Sequence, residues 1–324
     1  MTHEILFLSR ANIESTHFTM REVISAVEQA FREKGEGRAE VPPKPGIHPA
    51  PDAFIHAMPA YLPGLHAAGI KWVSGYPENY KRNLPYISGL VVLNEPETGV
   101  PIAILDGAWI TAKRTGAATA VAAKHLARKE SKNVGILGLG VQGRSNLEAL
   151  VEVLPNLQVV KAYDTSARNQ ERYVQDMTSL TELDIQSART PREAVADSDI
   201  IVTAGPILKD PKPTIEKEWL KDGVFACPVD FDSYWKPQAM HSMNKFLTDD
   251  TEQLLYYKSL GYFKDIPSTY ANLEDIVLGR KPARENDREM IMSMNLGLAI
   301  EDIAVAARLV ERAKRTGSGE WLHL

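Results

Sequence analysis

The chain is short of the residues that usually mark covalent or metal-based chemistry. Its one cysteine, Cys227, cannot form an internal disulfide, and it lies in the apolar run Val224-Phe-Ala-Cys, where it reads as core filler. The eight histidines are scattered, and neither a His-Glu-x-x-His nor a paired-cysteine pattern occurs, so no metal site is expected. A Gly-x-Ser-x-Gly elbow and a Gly-x-x-x-x-Gly-Lys-Ser/Thr loop are both missing, which argues against acyl transfer and P-loop chemistry. Net charge is −5 without a block of Lys or Arg, so no nucleic-acid partner is expected. No apolar run approaches the ~18–20 residues of a membrane span. Met1-Thr-His-Glu, followed only by the apolar Ile5 to Leu8, lacks a signal peptide's charged start and long core. A cytoplasmic protein without a membrane partner is expected. Its 324 residues suggest two domains, each able to bury a core.

What is present centres on Val134-Gly-Ile-Leu-Gly-Leu-Gly-Val-Gln-Gly143. The apolar Val134 to Leu137 reads as a buried parallel strand that opens onto Gly138-x-Gly140-x-x-Gly143, with a helical pattern from Gly143 to Leu154 stopped by Pro155. In such a unit the first glycine makes the tight turn, the second admits a diphosphate, and the third lets helix approach strand. Val141 and Gln142, inside the loop, lie at the helix N-terminus, where unpaired N–H groups favour an anion. A second strand, Val159 to Tyr163, ends in Asp164, 21 residues after Gly143. An acid there accepts from the adenosine ribose hydroxyls and repels a 2′-phosphate, so NAD is the expected cofactor. Arg168 close behind keeps NADP open, and a flavin or nucleoside-diphosphate site is the blander reading of the same fold.

The N-terminal part reads as strands and helices around a proline-rich stretch. Met20 to Phe31 places Val23, Ile24, Val27 and Phe31 on one face of a helix ended by Gly35 and Gly37. Val41 to Pro63 carries many prolines, which confines its strands to edges. Alternation over Ala53 to Met58 predicts one strand, with His56 reading as a core or surface histidine or as a site residue. Ala67 to Val73 predicts another, with Lys71 in apolar surroundings. A buried ammonium is costly unless paired, so Lys71 faces a carboxylate or a cleft, or else snorkels to solvent. Ile87 to Leu93 and Pro101 to Leu105 form a hairpin. An alanine-rich helix up to Arg128 then starts near Arg114 and Thr115, placing both at an anion-favouring end; Arg114 reads equally well as a surface residue.

Beyond a boundary at Glu130 to Asn133, Thr190-Pro-Arg-Glu193 caps a short helix, and Asp199 to Ala204 forms a strand. Ligands of doubly wound sheets bind beyond the carboxyl ends of strands, which puts Thr203 and Ala204 near the cofactor. The strand Val224 to Val229 ends in Asp230, with Asp232 two residues on; either can serve chemistry or cap a turn. A strand and helix follow over Asn244 to Ser259, then a short helix at Leu273 to Gly279. The last helix runs from about Leu296 to Arg315, with apolar residues at three-to-four spacing.

Seven motifs together resemble the ornithine cyclodeaminase/mu-crystallin family. They are Met58-Pro-Ala-Tyr61, Ala68-Gly-Ile-Lys71-Trp, Pro77-Glu-Asn79, Thr98-Gly-Val-Pro101, Arg114-Thr-Gly-Ala-Ala-Thr119, the glycine loop, and Gly297-Leu-Ala-Ile-Glu-Asp302. The resemblance spans about residues 40 to 312. It implies an α/β protein with a Rossmann doubly wound domain (131–297) and an α+β substrate-binding and dimerisation domain (1–130 and 298–324), and a homodimer through the latter's sheet. It also implies hydride chemistry at the α-carbon of an amino or imino acid. Lys71 and Arg114 are then expected to bind the substrate carboxylate and the adjoining carbonyl or imine, with Lys71 and Asp230 catalytic and Lys44 and His56 also substrate-facing. Two departures bear on the substrate. Cyclodeaminases carry a glutamate where this chain has His56, and the family commonly has a Pro-Gly-Lys type turn where this chain has Phe231-Asp-Ser-Tyr-Trp235, whose Tyr and Trp are expected to shape a side-chain pocket.

The expectation is therefore an NAD(P)-dependent amino-acid dehydrogenase or imine reductase. The alternatives are a diamino-acid cyclodeaminase that releases ammonia with catalytic NAD, and a non-catalytic binder of NADPH and a small ligand.

Overall fold

Alternating apolar and polar residues in the first third of the chain form one sheet, and short apolar runs further on form another. The coordinates are a computed structural model that describes residues 4–324. The reading of Met1-Thr-His3 as no signal peptide lies outside the described residues. The chain opens with β1 (Glu4–Leu8), α1 (Arg10–Ser15), α2 (Met20–Gly35), β2 (Gly46–Ile47) and β3 (Phe54–Leu62). It continues through β4 (Ala67–Gly75), β5 (Ile87–Asn94), β6 (Pro101–Asp106) and α3 (Gly107–Leu126). Next come β7 (Asn133–Leu137), α4 (Val141–Val153), β8 (Val159–Tyr163), α5 (Ala167–Leu180), β9 (Asp184–Ser187) and α6 (Pro191–Val195). Then follow β10 (Ile200–Thr203), β11 (Phe225–Pro228), α7 (Pro237–His241), β12 (Lys245–Thr248) and α8 (Thr251–Ser259). The chain closes with β13 (Ala271–Asn272), α9 (Leu273–Val277), β14 (Ile291–Met294), α10 (Ala299–Thr316) and β15 (Glu320–His323). Two compact units result, one of residues up to Arg114 with Gly297–Leu324, the other Thr115–Leu296. The first division thus falls inside α3, whereas the amino-acid sequence suggests Glu130 to Asn133.

In the first unit the strand order is β15-β1-β6-β5-β4-β3-β2. Every pair is antiparallel except β1 with β6. On one face Met58, Ala60, Lys71, Val73, Val91 and Leu93 are buried, and α10 packs across β3, β4 and β5 and against α2. The helix α2 offers Val23, Val27, Ala30 and Phe31 to this core, the two valines and the phenylalanine each contributing roughly 1.5–3 kcal/mol. A capping box starts it: Glu22 N–H donates to Thr19 Oγ1 at 3.3 Å, and Thr19 N–H to Glu22 Oε2 at 2.9 Å. On the other face Ile70, Trp72, Leu90, Val92 and Ile104 stay partly or largely open. Pro59 sits in β3 without breaking it, because on its N-side edge it falls between the Ala57–Pro45 bond and the Glu40–Tyr61 bridge, where no ladder bond is formed.

The second unit's sheet has the order β13-β12-β14-β11-β10-β7-β8-β9 and is parallel throughout. Its central strands are buried on both faces, which is why they read as apolar runs without alternation. The order reverses between β7 and β10, the switch point at which such sheets bind ligands. The strand β14, wedged between β11 and β12, has no counterpart in the sequence reading. Its Ile-Met-Ser-Met is too short to show a period.

The helix α3 begins earlier than its sequence suggests. Asp106 Oδ1 accepts from Trp109 N–H at 2.7 Å and starts the helix at Gly107. Arg114 therefore lies two turns in, beyond the reach of the helix end, and the expectation of a terminal Arg114 and Thr115 is corrected. Among the described residues no helix is long and apolar enough to cross a membrane.

Candidate active site

The glycine loop of the second unit behaves as a diphosphate cradle should. Gly138 holds φ +91°, and a Cβ there would run into the Ala204 carbonyl; a Cβ at Gly143 would strike the Gly138 carbonyl oxygen. Gly140 has nothing within 4 Å of where its Cβ would stand. The two outer glycines thus make close packing possible and the middle one leaves space for a ligand, the division a dinucleotide requires. Helix α4 has Gly140 as its N-cap and no side-chain cap, so its first N–H groups remain for an anion. Val141 is exposed beside them, and Gln142 bonds Asn146 through its carbonyl oxygen at 2.8 Å.

Asp164 closes the rim of this cradle. Its Oδ2 accepts from Leu139 N–H at 2.9 Å and its Oδ1 from Ser166 N–H at 2.8 Å. Each oxygen keeps a lone pair that can accept from a ribose hydroxyl. Arg168, in the first turn of α5, is exposed. Ala204 N–H donates to Leu137 O at 2.7 Å, which fixes the segment after β10 against the loop.

Asp230 follows β11 and is wholly buried. Thr203 Oγ1 donates to its Oδ1 at 2.6 Å and Gly205 N–H to its Oδ2 at 2.7 Å. Burial pushes its carboxyl up to about 7, against these two hydrogen bonds, so the group exchanges a proton near neutrality. Asp232 is raised too, chiefly by burial. Phe231 holds the left-handed φ +61°, anchored by the rings of Phe263, Tyr257 and Tyr262 at centroid distances of 4.7, 5.2 and 5.6 Å. Trp235 is not the pocket lining expected of it: it is 1% exposed in the core, with its indole N–H on Thr203 Oγ1 at 3.2 Å. Tyr234 lies half-buried on Gly205, and burial followed by the nearby Asp230 and Asp164 raises its phenol. The Cys227 thiol is buried against Thr119 Oγ1 at 3.3 Å and pushed up to about 12 by burial, which fits core filler.

The first unit gathers its own cluster. Lys71 Nζ donates to Asp302 Oδ1 at 2.7 Å, and Arg114 Nε donates to the same oxygen at 3.1 Å. Arg114 Nη1 reaches Glu301 Oε2 at 2.8 Å, while Glu301 Oε1 accepts from Leu298 N–H at 2.9 Å. Lys44 Nζ donates to Gly297 O at 3.1 Å. Gly297 holds φ +81°, and a Cβ on it would collide with the Arg114 guanidinium, so glycine is required here. The five charged side chains are all buried, and the other two partners are backbone groups. Burial, then Arg114, pulls the Lys71 ammonium down to about 7 against the opposing pull of Asp302. Burial raises Glu301. His56 stacks on Phe54 at 4.3 Å and is driven down to about 3 by burial, then Lys44, His48 and Lys71, so it is neutral at pH 7.

The structure thus brings Lys44, His56, Lys71 and Arg114 together in one unit, and the glycine loop, Asp164, Thr203, Ala204 and Asp230 along one sheet edge in the other. Thr115 lies on α3 with its carbonyl bonded by Thr119. Among the described residues no three His, Cys, Asp or Glu side chains gather as metal ligands would. Sequence reasoning gave no role to Glu301, Asp302 or Gly297. The available signal was two acids at the start of an otherwise apolar helical stripe.

The ornithine cyclodeaminase/mu-crystallin family model matches residues 3–317. The chain is 32% identical over 323 residues to the nodulation efficiency protein NfeD of Rhizobium meliloti, with 98% of each chain covered. It is similar, with TM-score 0.89 and 35% identity, to the Thermococcus litoralis Δ1-pyrroline-2-carboxylate reductase solved with NADH and L-proline, covering 98% of this chain and 99% of that one. It is also similar, with TM-score 0.87 and 32% identity over 99% of both chains, to an archaeal alanine dehydrogenase dimer with bound NAD.

Proposed function

The chain belongs to the ornithine cyclodeaminase/mu-crystallin family, and on that footing we propose that it is an NAD-dependent oxidoreductase of an α-amino acid/α-imino acid pair. The observation that carries this reading is the charge of the buried cluster. Lys71 and Arg114 pair with Glu301 and Asp302, Lys44 bonds the Gly297 carbonyl and acts on Lys71, and His56 is neutral. With Lys71 protonated and both acids ionised the cluster has one positive charge in excess, and burial, by raising Glu301, only adds to that surplus, which a carboxylate offsets. Burial of an unbalanced charge is expensive, so the surplus selects an anion.

Arg114 and Lys71 hold the substrate carboxylate, and Lys44 and His56 border it. NAD supplies the hydride acceptor when bound, and Gly138, Gly140, Val141, Gln142, Gly143, Asp164, Thr203 and Ala204 cradle it, with Thr115 and Arg168 as outer contacts. Asp230 takes the proton from the amine as the hydride leaves the α-carbon, and returns it to the imine in the reverse direction. Burial moves the proton affinities of Lys71 in the first unit and of Asp230 in the second to about 7, the range in which a group exchanges a proton at neutral pH.

A diamino-acid substrate fits less well. Lys44 and Lys71 both act on His56, and their positive charge would repel a second ammonium there. A pure binder would have no use for a buried Asp230 that titrates near neutrality. A cytoplasmic location and a homodimer belong to the same reading. The dimer is supported by the open apolar face of the first sheet, where Trp72 is 50% and Leu90 47% exposed.

The experiment is a panel of L-amino acids with purified protein and NAD, following NADH absorbance and ammonia together. NADH and ammonia rising in step establish a dehydrogenase and name the side chain. Ammonia without NADH, from ornithine or lysine, would replace this reading with a cyclodeaminase. A result negative for both leads to cyclic and linear imines with NADH, where failure to oxidise NADH would leave only a binder.

A further inference from the structure

A hydrogen-bonded chain runs from the core of the second unit to Asp230. Trp235 Nε1–H donates to Thr203 Oγ1 at 3.2 Å, and Thr203 Oγ1–H donates to Asp230 Oδ1 at 2.6 Å. All three side chains are buried. Their chemistry fixes the direction of the chain. An indole N–H can only donate, so the threonine oxygen must accept from it, and its one proton is left for the carboxylate. Without that indole the hydroxyl could turn its proton elsewhere. Gly205 N–H holds the other carboxylate oxygen, so both ends of Asp230 meet donors of settled direction.

The backbone supports the same arrangement. The left-handed Phe231 costs on the order of 1–3 kcal/mol and persists only where packing over-determines it; here the rings of Tyr257, Tyr262 and Phe263 hold it. The turn it makes returns the chain so that Trp235 N–H bonds Asp232 O at 3.1 Å and Trp235 bridges to Ile215. The indole is thereby brought under Thr203.

We propose that Trp235 is a positioning residue for the proton-exchanging carboxylate: through Thr203 it fixes which lone pairs of Asp230 are occupied and which remain to take a proton. The proposal rests on the functional reading above for the use made of that proton, though the chain itself does not. The other titratable groups near Asp230 are Asp232, Tyr234 and Cys227. Tyr234 and Cys227 are neutral around pH 7 because burial raises both, which leaves Asp232 as the one neighbour among these able to carry charge there.

The test is a carboxyl titration by carbon-13 NMR on protein labelled at aspartate, with the Asp230 signal assigned from D230N. Threonine 203 is replaced by valine and by serine, and Trp235 by phenylalanine. Benzothienylalanine at 235, which keeps the indole's shape and lacks the donor, serves if the phenylalanine variant does not fold. Losing the indole donor should move the Asp230 titration up by about half a pH unit, through lost polarisation of the hydroxyl. T203V should move it up by about one unit or more, T203S should restore it, and W235F should add little in the T203V background. An unmoved titration, or an equal effect of W235F with and without Thr203, overturns the chain. A moved titration with an unmoved acid limb of kcat/KM leaves the chain standing and overturns Asp230 as the catalytic base.

Discussion

Lys71 and Asp302, 231 residues apart in the chain, meet as a fully buried ion pair at 2.7 Å. Arg114 shares the same Asp302 oxygen, and the other, Oδ2, is buried without a hydrogen-bond partner among the described residues. Asp302 therefore aligns two cations at once. Removing one member of a buried ion pair strands the rest, at a cost of roughly 3–5 kcal/mol. Asp302→Ala should lower stability by about that amount and raise KM for the amino acid, with NAD affinity little changed. Urea unfolding, steady-state kinetics and NADH fluorescence titration check the three parts; unchanged stability would mean the pair is not formed.

Activity should depend on pH in opposite senses for the two directions. Oxidation needs Asp230 without its proton, which holds above about 7, and Lys71 with its proton, which holds below about 7. The kcat/KM for oxidation should be bell-shaped around neutrality. Reduction needs both Asp230 and Lys71 protonated, so its rate should be level on the acid side and fall as pH rises through 7. An acid limb shared by the two directions would remove Asp230 from proton exchange.

Asp230→Asn should abolish turnover and stabilise the protein under alkaline conditions. Burial raises the carboxyl from its ordinary 3.8 to about 7, so the stability of the protonated form is fully present below about pH 4 and lost as pH rises through 7. Asparagine stays neutral. Its amide sets one NH2 against Gly205 N–H or Thr203 O–H, which discounts the gain to about 1–3 kcal/mol at pH 8. Melting curves at pH 8 and pH 4 check the sign: the variant's advantage should vanish at the lower pH.

Trp72 projects from the face of β4 opposite Lys71. The proposed dimer should dissociate on Trp72→Glu, measured by light scattering on a sizing column. An unaltered mass would remove this face from self-association. The monomer should keep the Lys71–Asp302 pair, because that lies on the other face of the same strand.

Much of this arrangement was legible in the amino-acid order. The glycine loop, the acid after β8 and the acid after β11 are local patterns, each tied to a strand end. Lys71 declared itself by being charged among apolar neighbours. The partners did not. Asp302 meets Lys71 only because the last long helix crosses the first sheet, and no local period encodes a contact over that separation. Trp235 read as a pocket aromatic because sequence gives its neighbours in the chain but not the direction of its side chain. The early start of α3 turns on Asp106 as a cap, a residue that serves equally well at the end of a strand. The short, buried β14 carries no period at all.

The first unit is sewn from both ends of the chain, with β15 laid beside β1 and α10 across α2, while the second is one continuous stretch. During synthesis, at about 5–20 residues per second, the second unit is complete before the ribosome has made Glu301 and Asp302. Until those two acids emerge, Lys71 and Arg114 have no counter-charges to bury against. A nascent chain, or one truncated before α10, would therefore hold a finished nucleotide half beside an N-terminal sheet unable to close. Translation order makes the carboxylates of α10 the last parts fitted and the condition for everything around Lys71 to set.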